Sequence, residues 1–71
     1  VAGNHNTPVP ILVKLSADSV ASVRQAVSTN PNTPKKVLIQ LSYDSEKAIR
    51  RMARGRLAKI LRKEIEEDLE R

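Results

Sequence analysis

Two pairs of oppositely charged residues recur along the chain with the same spacing. Asp18 is followed by Arg24, and Asp44 is followed by Arg50, so each carboxylate precedes a guanidinium by six residues. Because a guanidinium offers several donors in a planar fork, it can bind carboxylate and carbonyl acceptors at the same time. We therefore expect these four residues to form a structural ladder between adjacent units of the fold. Substrate binding by the same residues is the alternative.

The second group with chemical potential is a basic block in the C-terminal half. Positions 47 to 63 contain eight Lys and Arg residues and no acidic residue, and five acidic residues follow between 64 and 70. Apart from Arg50, the block consists of Lys47, Arg51, Arg54, Arg56, Lys59, Arg62 and Lys63. These seven residues are the candidate binding surface for a nucleic acid or another acidic partner. A solvated helix face and pairing with a partner helix are the alternatives.

Nucleic-acid binding by this block would be directed at phosphates. The chain has a single aromatic residue, Tyr43, so no row of rings interleaves the cations and stacks on single-stranded bases. Contacts from Lys and Arg to phosphates carry little sequence information and weaken with salt. Any binding of this kind is therefore expected to be weakly sequence-selective.

The inventory of nucleophiles, bases and metal ligands argues against an enzyme. The chain has no Cys, and His5 is its single His. Asp18 and Asp44 are expected to cap helices, and no general base is placed near the Ser residues. His5 stands where the second unit has a Pro, so we expect an exposed turn residue. We predict no catalytic residue, no metal ion and no cofactor.

An internal repeat predicts the elements that hold these residues. Asn4-His5-Asn6-Thr7-Pro8 returns as Asn30-Pro31-Asn32-Thr33-Pro34, so the repeat period, counted from Asn4 to Asn30, is 26. Matching residues surround it, among them Leu12/Leu38, Leu15/Leu41 and Val23/Ile49. A repeat of this length is one supersecondary unit that cannot bury its apolar face alone. We predict a single domain with a first unit at residues 1–26 and a second at 27–52.

Each unit is expected to contain a short helix and a longer one. Thr7-Pro8 should start the first helix, which runs to about Leu15 and is short enough to be partly 3₁₀. Asp18 should cap the second helix, which ends near Ser28. The second unit repeats this plan after Thr33-Pro34 and Asp44. The short helices are predicted to bury Ile11, Leu12 and Leu15 in the first unit and Val37, Leu38 and Leu41 in the second. The longer helices are predicted to turn inward Val20, Val23, Ala26 and Val27 in the first unit and Ile49, Met52 and Ala53 in the second.

The pattern changes where a third Asn-Pro turn would fall. The chain has Arg54-Gly55-Arg56-Leu57 there, and a helical stripe of Leu57, Ile60, Leu61, Ile65 and Leu69 continues to the C-terminus. We predict a C-terminal capping helix at residues 53–71, with a kink or a break at Gly55. Its basic residues precede its acidic ones, the reverse of what the helix dipole favours. In an antiparallel homodimer through this helix, the basic residues of one copy would lie beside the acidic residues of the other. The alternative is that the helix folds back over the last unit and caps it.

These repeats resemble the leucine-rich repeat variant family. The resemblance covers about residues 1–53 and rests on Asn30-Pro31-Asn32-Thr33-Pro34, on Leu38 with Leu41, and on Asp44 followed by Ile49-Arg50. It implies a short 3₁₀-like helix and an α-helix in each unit, stacked in a right-handed superhelix. The expected fold is therefore an all-α helical-repeat solenoid. The spacing of Asp and Arg is also similar to that of HEAT repeats, for which a period of 26 is short.

The founding member of that family holds an iron–sulfur cluster with cysteines outside its repeats, and a chain without Cys cannot hold that cluster. The resemblance implies a scaffold. We therefore expect a non-enzymatic module for protein–protein interaction, with nucleic-acid binding as the alternative.

Composition and hydropathy indicate a soluble protein with an aliphatic core. The 71 residues include no Phe and no Trp, and the net charge is +5. No apolar run approaches the roughly 20 residues of a membrane span, and no signal-peptide pattern is present, so we expect a cytoplasmic protein that does not bind membranes. The chain begins with Val1-Ala2, which align with Val27-Ser28 at the predicted end of a helix. This alignment predicts a fragment of a longer protein, or a processed one.

Overall fold

The computed structural model describes residues 2–70, and in that range the chain is all-helical. The four helices are α1 (Val9–Leu15), α2 (Ala21–Thr29), α3 (Lys35–Leu41) and α4 (Lys47–Leu69). The all-α prediction is confirmed. The starts of α1 and α3 lie one repeat period apart, and so do those of α2 and α4. Within the described range, none of the helices combines the length and the apolar character that a membrane crossing requires.

The short helices are α-helices rather than 3₁₀ helices. In α1 the N–H of Leu12 donates to the carbonyl of Pro8 at 3.1 Å, which is the α-helical spacing of four residues. The N–H of Ile11 shares the same acceptor at 3.1 Å and makes the tighter 3₁₀ bond. The first turn of α3 has the corresponding pair of bonds. Bonds of the 3₁₀ type recur at the C-terminal ends, where the N–H of Ala17 donates to the carbonyl of Lys14 at 3.3 Å and the N–H of Ser42 donates to that of Ile39 at 3.2 Å. The 3₁₀ character is therefore confined to the ends of the short helices.

The short helices begin at Pro and lack a side-chain cap. Pro8 and Pro34 occupy the N-cap positions of α1 and α3, and no side chain caps either helix there. The hydroxyl of Thr33 instead donates at 2.6 Å to the carbonyl of Val27 in the last turn of α2. Thr33 thus satisfies the end of the preceding helix, where carbonyls lack intrahelical donors.

Asp18 and Asp44 are not helix N-caps, and the prediction of that role was wrong. The helices α2 and α4 each begin three residues after the aspartate. Oδ1 of Asp18 accepts the backbone N–H of Val20 at 2.8 Å, and Oδ1 of Asp44 accepts that of Glu46 at 2.9 Å. A bond from residue i to the N–H of i+2 is an Asx turn. Each carboxylate therefore shapes the connection before the helix and leaves its second oxygen for other donors.

The core is one aliphatic cluster shared by the four helices. Its buried members are Ala2, Leu12, Val27, Val37, Leu38, Leu41, Ile49 and Ala53, with Leu57 and Ile60 packed partly against them. Leu12 and Leu38 fill equivalent slots one repeat period apart, and both are fully buried. Because α4 packs against both α2 and α3, it joins the two halves of the chain.

Three residues predicted to face inward are exposed. Ile11 is 41% exposed, whereas Leu12 beside it is fully buried. Val20 is 52% exposed because it precedes the first residue of α2 and so does not share that helix's inner face. Met52 is 40% exposed although Ala53 beside it is fully buried. Successive helical residues point about 100° apart, so this neighbour of a core residue faces out of the core.

The helix α4 passes through Gly55 without a break. It contains 23 residues and also crosses the predicted boundary between 52 and 53. A side chain at Gly55 would meet no heavy atom within 4 Å, so close packing does not require glycine there. Every residue from 61 to 70 is exposed. The end of α4 therefore projects away from the core.

Candidate interaction site

Arg24 of α2 and Asp44 before α4 form an ion pair between the two halves of the chain. The Nε of Arg24 lies 2.8 Å from Oδ2 of Asp44, and Nη2 lies 3.2 Å from Oδ1. The remaining nitrogen, Nη1, donates to the backbone carbonyl of Asp18 at 2.8 Å. One guanidinium thus ties the connection before α2 to the connection before α4.

Both members of this pair are held in their charged forms. The hydrogen bond from Arg24 is the main cause that lowers the pKa of Asp44, with a further contribution from the Glu46 N–H and an opposing one from burial. The same hydrogen bond raises the pKa of Arg24. Shifts in these directions stabilise the ions, so the pair is suited to holding structure and not to transferring protons.

Arg50 and Asp18 lie at the two ends of the predicted ladder. Arg50 is equivalent to Arg24, but its Nη1 donates to the backbone carbonyls of Asp44 and Ser45 at 2.8 and 2.9 Å. Neither Arg50 nor the carboxylate of Asp18 forms a salt bridge within residues 2–70. Of the four ladder residues, the structure brings Arg24 and Asp44 together as a rung, while the other two use backbone partners.

A second set of bonds joins the turns, and the sequence-based prediction missed it. Asn30 is 2% exposed, and its Nδ2 donates to the carbonyls of Ala2 and Asn4, both at 2.7 Å. Arg56 stands one repeat period after Asn30, and its Nη1 donates to the carbonyls of Ser28 at 3.0 Å and Asn30 at 2.6 Å. Those two acceptors stand one repeat period after the pair that Asn30 binds. The repeat therefore extends to hydrogen bonds.

Arg56 reproduces the bonding of Asn30 from a helix instead of a turn. Asn30 lies in a turn that brings its short side chain close to the carbonyls it binds. Arg56 lies on α4 and reaches the equivalent carbonyls with a longer side chain. The sequence-based assignment placed Arg56 on the candidate binding surface, whereas its guanidinium donates within the fold and the residue is half-buried. The repeat offset, applied to position 56, was the signal that pointed to this role. Asn32 adds one more bond between the turns, to the carbonyl of His5.

The other cations of the candidate surface remain exposed and uncompensated. The six exposed side chains belong to Lys47, Arg51, Arg54, Lys59, Arg62 and Lys63. None of them forms a salt bridge within the described part of the chain. The exposed ion pair nearby joins Lys35 of α3 to Glu64, at 2.9 Å. Positive charge therefore accumulates along the first three quarters of α4.

Several of these cations line two hollows in the surface. The α2/α4 hollow has a volume of about 420 Å³ and is lined by Gln25, Ala48, Arg51, Met52, Gly55, Arg56 and Lys59. The cationic hollow has a volume of about 240 Å³ and is lined by Lys47, Arg50, Arg51 and Arg54. Arg51 contributes to both. The first hollow pairs an apolar surface with a cationic rim, whereas every residue that lines the second is basic.

A third hollow lies at the N-terminal end of the described chain. It has a volume of about 310 Å³ and is lined by Ala2, Gly3, Leu15, Asp18, Ser22, Val23 and Ala26. His5 is exposed in the first turn. Among residues 2–70, no group of three or more His, Cys, Asp or Glu side chains is arranged to hold a metal ion.

Comparison with protein-family models, with curated proteins and with solved structures finds no match to this chain. Its function is therefore inferred from its own residues and their geometry.

Proposed function

We propose that this chain is a non-enzymatic helical-repeat scaffold of the leucine-rich repeat variant type, and that it binds a protein partner. In this proposal α1 with α2 and α3 with α4 are stacked solenoid units, and the end of α4 projects beyond the second unit. The repeat period supports it, because helix starts, buried Leu residues and turn hydrogen bonds all recur at that offset. Stacked units interact mainly with their neighbours, so recurrent contacts between units are expected of them.

The observation that carries the interaction role is the α2/α4 hollow. Its volume of about 420 Å³ lies in the range of about 300–1,000 Å³ that is usual for binding pockets. Met52 gives it a flexible apolar surface that adapts to different partners. Arg51 and Lys59 provide unpaired positive charge at the rim, which favours fast and oriented association with an acidic surface. The partner is therefore an amphipathic segment with acidic side chains.

The bonds between the halves of the chain support the same role. Arg24 of α2 binds Asp44 before α4, and Arg56 of α4 binds the carbonyls of Ser28 and Asn30 at the end of α2. These bonds hold α2 and α4 in one relative position. Helices that are already fixed lose less conformational freedom when a ligand binds between them. The scaffold is preorganised in this sense.

Affinity capture from cells with three versions of the chain tests the proposal. The double variant Arg51→Glu with Met52→Glu places two acids in the α2/α4 hollow at exposed positions, so the fold should persist. Ile39→Glu, on α3 and also exposed, is the matched control. We expect a partner that the wild type and the control retain and the double variant loses. Equal capture by all three, or no specific partner, contradicts the proposal.

Nucleic-acid binding is the second candidate, favoured by the six uncompensated cations of α4. Phosphate contacts by these residues would release counterions, so affinity for a duplex should fall with salt at a log–log slope of about −0.9 per phosphate neutralised. Lys47→Ala with Arg54→Ala should reduce that slope, whereas Met52→Glu alone should have a smaller effect. A flat salt response, or no binding at low ionic strength, excludes this candidate.

A further inference from the structure

The last part of α4 carries an apolar stripe that the described chain leaves uncovered. We define the terminal stripe as Leu61, Ile65 and Leu69, which are 48%, 59% and 81% exposed. Their spacing of four residues places them along one side of the helix. Leu57, one step earlier in the row, is partly packed on the core. The stripe therefore begins where core packing ends.

The same segment has a charge order that suits a reversed copy of itself. Basic residues precede position 64 and acidic residues follow from there to position 70. Acidic side chains in the last turns oppose the helix dipole, so the dipole does not favour this order. In an antiparallel pair of such helices, the basic part of one lies beside the acidic part of the other.

We propose that a second copy of this chain covers the terminal stripe, through an antiparallel pair of α4 helices. Placing Leu61 of one copy opposite Ile65 of the second copy also places Leu57 opposite Leu69. Arg62 then lies near Glu66 of the second copy, and the twofold symmetry repeats the contact. Such an interface is isologous, the usual arrangement of homodimers.

The helix geometry limits the size of this interface. Rows of residues spaced by four cross at about −50° when they interdigitate, so contact is confined to the turns around the crossing point. Lys63 lies about 200° around the helix from Leu61, so the twofold axis does not bring the two Lys63 side chains together. A short contact of this kind predicts a weak dimer that depends on concentration.

The dimer interface is separate from the α2/α4 hollow and does not rest on its proposed function. Met52 is nine residues from Leu61, which is about two and a half helical turns, so it lies on the opposite side of α4. Both surfaces can therefore be occupied together. A dimer would present two hollows, and two linked sites raise avidity for a partner that reaches both.

Sedimentation equilibrium of the full chain over a wide concentration range tests the proposal. We expect a monomer–dimer equilibrium for the wild type and monomers at every concentration for Leu61→Lys and Ile65→Lys. Ile65 makes no core contact, so the second variant should keep the far-ultraviolet circular dichroism of the wild type. Ile39→Lys is the matched control, because Ile39 is 47% exposed on α3. It should dimerise as the wild type does.

A charge exchange tests the antiparallel register. Arg62→Glu places two acidic side chains together across the interface and should weaken the dimer several-fold. Adding Glu66→Arg exchanges the two charges and should restore it. A wild type that stays monomeric at the highest concentration overturns the proposal. So does a dimer that survives both stripe variants, or one that the charge exchange fails to restore.

Discussion

Arg24 binds Asp44 through two parallel hydrogen bonds of 2.8 and 3.2 Å, and with its third nitrogen it binds the carbonyl of Asp18. Asp18 and Asp44 are equivalent in the repeat and make the same Asx turn. They differ in one respect, because the carboxylate of Asp44 has a guanidinium and that of Asp18 has none within residues 2–70. Asp18 is therefore an internal control for the contribution of the Arg24–Asp44 ion pair to stability.

Asp44→Ala should destabilise the fold more than Asp18→Ala. Both substitutions remove the bond to the N–H two residues on, but only the first also leaves Arg24 without its carboxylate. Leaving a partly buried group without its partner costs about 1–3 kcal/mol, so the difference between the two variants should lie in that range. Urea denaturation of both variants measures it. Equal losses would show that the pair adds nothing beyond the turn.

The pH dependence of stability should report on the same pair. The pKa of Asp44 is lowered in the fold, chiefly by the hydrogen bond from Arg24, so the unfolded chain binds the proton more readily. The stabilisation is complete above the ordinary aspartate pKa of about 3.9 and is lost as the pH falls through the lower pKa of the folded state. Stability should therefore rise with pH between those two values.

Arg24→Gln should flatten this rise, because it removes the main cause of the shift. Denaturation midpoints of the wild type and the variant, measured from about pH 2 to pH 6, make the comparison. The same slope in both proteins would mean that other carboxylates govern the acid response.

The sequence was sufficient to predict α1, α2, α3 and most of the aliphatic core, but it divided the continuous helix α4 between the second unit and a separate capping helix. The Asn-Pro turns and the Leu pairs recur in register, and Leu12 and Leu38 occupy equivalent buried slots. It was insufficient for the aspartates, because Asp serves equally well as an N-cap and in an Asx turn. The backbone path decides between these roles, and here α2 and α4 begin three residues later.

In the candidate site, too, the sequence predicted the position of some residues and not of others. The exposure of Lys47 and Arg51 follows from their helical spacing. The role of Arg56 does not follow from its helical spacing. A long side chain on a continuous helix can either reach back to the preceding turn or extend into solvent. Its neighbours decide the matter, since the carbonyls of Ser28 and Asn30 are available as acceptors at the end of α2.

Gly55→Ala should stabilise the protein by up to about 1 kcal/mol, the difference in helix propensity between the two residues. The helix α4 is continuous at this position, and an added Cβ would meet no heavy atom within 4 Å. Thermal or urea denaturation measures the effect. A destabilised variant would indicate that α4 bends or opens at Gly55 in solution, as the sequence alone predicted.

Bonds that recur with the repeat period lock the two halves of the chain together, and substitution of Asn30 tests this interlocking most directly. Asn30→Ala removes the donor to the carbonyls of Ala2 and Asn4. The Asn4 carbonyl keeps the N–H of Thr7, whereas the buried carbonyl of Ala2 loses this donor. A buried acceptor left unpaired costs about 1–3 kcal/mol. Asn4→Ala is the matched control, because Asn4 is the equivalent residue and is exposed. The deciding measurement is the free energy of unfolding of both variants. The proposed interlocking predicts a large loss for Asn30→Ala and a small one for Asn4→Ala, and similar small losses for both would contradict it.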